Sequence, residues 1–287
     1  MAVVPRLVRT AFLALLISLS AALLWSTASA APLPQAATED DRVQARQFLD
    51  KGVEAYKHAQ FDDAIADFKR AKELDPDLAN APLYLAIAYS SQYVPGAPSE
   101  DNRHNGELAV QEFQGILDKD PENLLAIDGI GSILYNLGGS PFDVDKLNES
   151  KSYHEKHIQL KPEDPEPYYW VGVIDWSIAF RANQSLRDEY NQTTATELGP
   201  IDPLPRALAS KFNEEYGAIV QEGIEYQKKA MDLKPDYDDA MAYLNLLYRL
   251  KADMEISPSE RQNDLRMAEE LVDQVKNAKQ NRAAPRP

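Results

Sequence analysis

Four histidines, His58, His104, His154 and His157, are the only imidazoles of the chain, and the last two stand three residues apart. On a helix that spacing puts His154 and His157 on one face, where Asp143, Asp145 or Glu149 could complete a metal site. A ligand pair without a third partner close in sequence is a weak metal signature, and packing explains the pair better. No glycine-rich phosphate loop, nucleophile elbow, HExxH helix or D-x-D-x-D-G calcium loop occurs, and the absence of cysteine removes thiol chemistry and disulfides together. The paired acids Asp62-Asp63, Asp143/Asp145 and Asp238-Asp239 fall at expected helix starts, where carboxylates cap free amides and complement the helix dipole. No cofactor is expected, and the chain reads as a binding protein rather than an enzyme.

Aromatic residues carry more information. Tyr168-Tyr169-Trp170 and Trp176 fall on one expected helix, and Tyr169 and Trp176, seven apart, share a face. Aromatic side chains are rigid anchors at protein interfaces, and they are also core fillers. Charge narrows the partner. The 287 residues carry a net charge of -16. Residues 1–30 hold two Arg and no acid, so the remainder carries 28 basic against 46 acidic side chains, a balance of -18. Such a surface repels phosphate backbones, and no basic patch relieves it, which excludes nucleic acid.

The elements that must position these residues are helices. With 12 Gly, 19 Pro and many Ala, Leu, Glu, Asp, Lys and Gln, the composition favours helix with little or no sheet. In residues 42–76, apolar positions recur at helical spacing: Phe48, Val53 and Tyr56, then, after a turn at Gln60, Phe61, Ile65, Phe68 and Leu74. Two antiparallel helices result. Ala64, Phe68, Ala71 and Pro76 follow the spacing A-x3-F-x2-A-x4-P, which resembles the second helix of a tetratricopeptide repeat. The same spacing recurs as Ala109, Phe113, Ile116, Pro121, then as Ser150, His154, His157, Pro162, and again as Gly223, Gln227, Ala230, Pro235. Ala268, Val272 and Val275 close the series without a proline. His154 and His157 thus hold the slots of Phe68 and Ala71.

The resemblance implies an all-α, right-handed α-solenoid of about five tetratricopeptide-like helix pairs, roughly 42–78, 79–123, 124–164, 165–237 and 238–279. It also implies a concave groove lined by first helices, onto which the repeat pattern places Tyr56, Asn80, Asp128, Tyr135, Asn136, Tyr169, Trp176 and Arg249. Such a groove grips an extended or helical peptide. The Lys/Asn carboxylate clamp of some family members is not recognisable, because the first repeat offers Leu49 and Val53 there.

The terminal prolines are 45, 41 and 73 residues apart, against a family period of about 34, so the repeats carry insertions. These are expected over 92–105, 138–143 and 251–259, and, by far the longest, over about 179–215. In the last, 177–190 could lengthen the first helix and 206–216 the second. This insertion either frames the groove or covers Tyr169 and Trp176.

The ends differ from the middle. Arg6 and Arg9, an apolar run from Ala11 to Trp25, and Ala28-Ser29-Ala30 have the form of a cleaved secretory signal over 1–30. A Pro- and Ala-rich linker over 31–41 and an unstructured tail over 280–287 are expected. The chain therefore reads as an exported protein, periplasmic or secreted, with no membrane span after cleavage and a protein or peptide partner. The alternative is a small-ligand or metal binder using His154 and His157.

Overall fold

The computed structural model describes residues 37–283, with side chains to residue 280, and these residues form ten α-helices and no strand. The expected signal peptide and most of the linker lie outside the described residues. The helices are α1 (Glu39–Lys57), α2 (Phe61–Leu74), α3 (Asn80–Gln92), α4 (Glu100–Leu117), α5 (Leu124–Gly139), α6 (Val144–Leu160), α7 (Pro165–Thr193), α8 (Arg206–Leu233), α9 (Asp238–Met254) and α10 (Pro258–Ala283). Each packs on its chain neighbours, and first helices also touch across pairs, α1 on α3 and α7 on α9. This is the stacking of a solenoid, in which every pair buries its apolar face against the next.

Local chemistry sets most boundaries. Thr38 and Asp41 form a capping box: the Thr38 hydroxyl accepts from the Asp41 amide at 3.1 Å, and the Asp41 carboxylate accepts from the Thr38 amide at 3.0 Å. α1 therefore starts at Glu39, inside the stretch expected to be linker. Ser99, Asn123, Asp143 and Asp164 cap α4, α5, α6 and α7 through their side-chain oxygens, and Pro165 opens α7 where its missing N–H costs nothing. The cap at Ser99 starts α4 at Glu100, so the second repeat's irregular segment is only 93–99, shorter than the expected 92–105. Likewise only 255–257 separate α9 from α10, and α10 runs to Ala283, into the expected tail. Residues 284–287 lie outside the described residues.

The repeat spacing is a packing device. A Cβ on Gly52 would meet the Phe68 ring at 2.5 Å, one on Gly131 would meet His154 at 2.9 Å, and one on Gly172 would meet Gln227 at 2.5 Å. In each case a glycine of the first helix accepts the large side chain that the repeat places on the second. The same side chains reach the following pair, since Phe68 stacks on Tyr84 of α3 at 5.6 Å and His154 on Trp170 of α7 at 5.7 Å. In the second repeat the glycine is on the following pair instead: a Cβ added to Gly129 of α5 would stand 2.6 Å from the Phe113 ring.

The fourth pair is the exception in length. Residues 180–193 contain neither Gly nor Pro, so α7 continues to Thr193, and Pro203 and Pro205 hold α8 back to Arg206. The extended halves are packed, not splayed: Ala179, Leu186, Leu204 and Phe212 join Leu244, Leu247 and Leu271 in one core. Among the described residues no helix is long and apolar enough to cross a membrane.

Candidate functional site: an aromatic band on the first helices

The first helices of the last three pairs bring six aromatic rings into one continuous band. Tyr135 of α5 meets Trp170 of α7 at 5.4 Å, edge to face, and Trp170 meets Tyr169 at 5.4 Å. Tyr169 and Trp176 both contact Tyr243 of α9, at 5.7 and 5.3 Å, and Trp176 stacks on Phe180 at 4.9 Å. The Tyr135 hydroxyl lies 3.3 Å from the Ser177 hydroxyl, tying α5 to α7. Five of the rings are half-buried and Phe180 is exposed, so the band has a packed underside and a free face. Burial pushes the hydroxyls of Tyr169 and Tyr243 above the ordinary phenol range, which keeps them neutral.

Four of the residues expected on the groove come together here. Tyr135, Tyr169 and Trp176 are members of the band, and Arg249 shares a pocket with Trp176. Tyr56 stands on α1, its hydroxyl 2.9 Å from that of Ser91 on α3. Asn80 is exposed at the start of α3. Asp128 pairs with His157 at 2.7 Å, and the Asn136 amide donates to Ser132 O of its own helix at 2.9 Å. Among the described residues no hydrogen bond, ion pair or ring contact links these four to the band. Tyr243 and Phe180 complete it, and sequence reasoning passed over both. Phe180, four residues after Trp176, was within reach of helical periodicity.

The long insertion is fixed as a wall beside the band. Arg187, buried to 3 % exposure, donates to Gly199 O and Asp202 O at 2.9 Å each and to the Asp253 carboxylate of α9 at 2.7 Å. The Asn191 side-chain amide brackets Leu198, and the Asp202 carboxylate accepts from the Gly199 amide at 2.8 Å. Pro200 and Ile201 thereby line one pocket together with Trp176. Tyr169, in contrast, finds its ring neighbours in Trp170, Tyr237 and Tyr243. The insertion frames the band at Trp176.

The histidine pair is divided between two environments. His154, 1 % exposed, is sandwiched between Gly131 and Trp170, and neither ring nitrogen has a hydrogen-bond partner. His157 faces Asp128, with Asp164 at 3.6 Å from its other nitrogen. Burial, then the nearby His157, drives the His154 pKa down to about 4. No group of three or more His, Asp or Glu among the described residues could hold a metal ion. A second buried charge lies under the fourth pair, where Lys151 of α6 donates to Asp175 of α7 and Glu222 of α8 at 2.8 Å each. Burial pushes Asp175 up to about 7 against the pull of Lys151. Asp175 is 1 % exposed and packs beneath Gly223, so its carboxyl is enclosed in a joint of three helices that reaches solvent through Glu222.

The repeat spacing, the glycine-seated side chains and the stacked pairs define a tetratricopeptide-like solenoid. No family model matches the chain, and no curated protein matches it. Among solved structures, MamA superposes with a TM-score of 0.54 at 15% identity, over 85% of this chain and 98% of that one. MamA 41-end from Desulfovibrio magneticus RS-1 does so with a TM-score of 0.53 at 14% identity, over 84% and 98%. YrrB, described as a TPR protein with an unusual peptide-binding site, aligns at a TM-score of 0.49 and 15% identity over 84% and 95%.

Proposed function

We propose that the chain is a non-catalytic scaffold that binds a protein or peptide partner along the first-helix face of its last three pairs. The observation that carries this reading is the aromatic band from Tyr135 to Phe180: half-buried rings held from beneath are low-entropy anchors of the kind that dominate interface energetics. The most perturbed carboxyl, Asp175, is consumed by a helix joint, which supports binding over catalysis. In a partner capture from an envelope extract, Tyr243→Ala should deplete the proteins retained by the wild-type chain. Unchanged retention would remove the band from the binding surface.

Export is part of the same proposal. Residues 1–30 have the charge, apolar run and small-residue site of a secretory signal, and the cysteine-free, acidic remainder suits a periplasmic or extracellular compartment. The mass of the exported chain should correspond to an N-terminus at Ala31, and a mass that includes Met1 would contradict cleavage.

A further inference from the structure

At one end the aromatic band opens into a pocket that combines apolar walls with cationic groups. Trp176, Phe180, Ile201, Leu246 and Leu250 supply apolar surface, and Arg249 and Arg261 reach the same space. The cavity, about 160 Å³, falls below the roughly 300–1,000 Å³ of small-molecule sites and has the scale of one side chain. Its wall is rigid on the insertion side, because Arg187 holds the carbonyls of Gly199 and Asp202 around Ile201, itself 83% exposed. A preformed wall lowers the ordering cost of binding.

Charge selects the occupant. Among the described residues Asp253 is the only acid lining the pocket, and it is already engaged by Arg187 at 2.7 Å and Asn183 at 3.2 Å, with Arg261 at 3.9 Å. Arg249 is exposed, donates through Nε to Asn245 at 3.2 Å, and has no carboxylate partner among the described residues. An unpaired guanidinium beside an apolar cavity is locally complementary to an apolar group that carries an anion next to it.

We propose that this pocket is a specificity subsite for a partner peptide in which an apolar side chain is followed by an acidic one. The apolar side chain enters beside Trp176 and Ile201, and its acidic neighbour pairs with Arg249. The inference rests on the binding reading above and adds the chemistry of the partner.

The test uses acetylated and amidated peptides in one Gly-Ser frame that differ only at a central pair, Leu-Glu, Leu-Gln, Leu-Lys or Ala-Glu. Binding to the full mature chain is read from the fluorescence of Trp170 and Trp176. The Leu-Glu peptide should bind about tenfold more tightly than the Leu-Lys or Ala-Glu peptide. Arg249→Gln should abolish the preference for Glu over Gln and keep that for Leu over Ala, and Ile201→Ser should do the reverse. Equal binding of the four peptides, or a Glu preference that survives in Arg249→Gln, overturns the subsite and leaves the band as a binding surface. Binding only of peptides with a free C-terminus assigns Arg249 to a terminal carboxylate and overturns it too. A fluorescence change with protein concentration alone assigns the pocket to a second copy of this chain and likewise overturns the subsite. Binding of none of the peptides also overturns it, and partner capture by Tyr243→Ala then decides separately whether the band binds at all.

Discussion

His154 and Asp175 are both almost fully buried, and burial moves their protonation in opposite senses with respect to stability. His154 titrates near 4 in the folded chain against an ordinary 6.5, so the unfolded chain binds more protons between those values and stability falls as pH drops through this window. Asp175 titrates near 7 against an ordinary 3.8, so the folded chain binds more protons and stability rises as pH drops through 7. Each contributes about 2 kcal/mol between pH 7 and pH 5, and the two offset in the wild-type chain. Replacing His154 with Phe, the residue at the same slot in the first two repeats, should make the protein gain about 2 kcal/mol on that acidification relative to wild type. Asp175→Asn should lose about as much. Urea unfolding at pH 7 and pH 5 reads both, and a variant whose dependence on pH matches wild type would contradict the perturbation of the group it replaces.

At the scale of the element, the turn between α1 and α2 contains the one residue in the described chain, other than glycine, with positive φ. Ala59 has φ +58°, its amide donates to Tyr56 O at 2.9 Å, and the Gln60 amide donates to Ala55 O at 2.9 Å. Those two bonds make a Schellman ending, whose left-handed position normally belongs to glycine. Ala59→Gly should therefore stabilise the protein by on the order of 1 kcal/mol, measured as a higher urea midpoint with an unchanged slope. A lower midpoint would contradict the assignment of strain to this turn. Helices and their pairing were legible in the sequence because A-x3-F spacing, caps and prolines act within a turn or two. Phe68, Phe113, His154 and Gln227 are equivalent by spacing; Phe68, His154 and Gln227 seat against a glycine of their own first helix, and Phe113 seats against Gly129 of the next pair. The state of the insertion was not legible. Its anchor joins Arg187 to Asp253, residues 66 apart, and no local pattern encodes such a contact.

For the whole molecule, stacking turns separate helices into a surface. Tyr135, Trp170 and Tyr243 lie on three different repeats, and only the register between pairs brings them within ring contact of one another or of Tyr169. Of the positions expected on the groove, Tyr135, Tyr169 and Trp176 meet in the band and Arg249 joins Trp176 at its pocket, while the continuity of the band depended on packing. The same packing turned Asp128 toward His157 of the second helix. The chain has three tryptophans, Trp25, Trp170 and Trp176, and the first lies in the expected signal peptide. Both tryptophans of the mature protein are thus in the band, and its intrinsic fluorescence reports on this surface directly. A captured partner should shift or quench that emission saturably, and Tyr243→Ala, with its fold intact by circular dichroism, should weaken the midpoint about tenfold or more. Saturable partner binding that leaves the emission of Trp170 and Trp176 unchanged would contradict the assignment of the aromatic band as the binding surface.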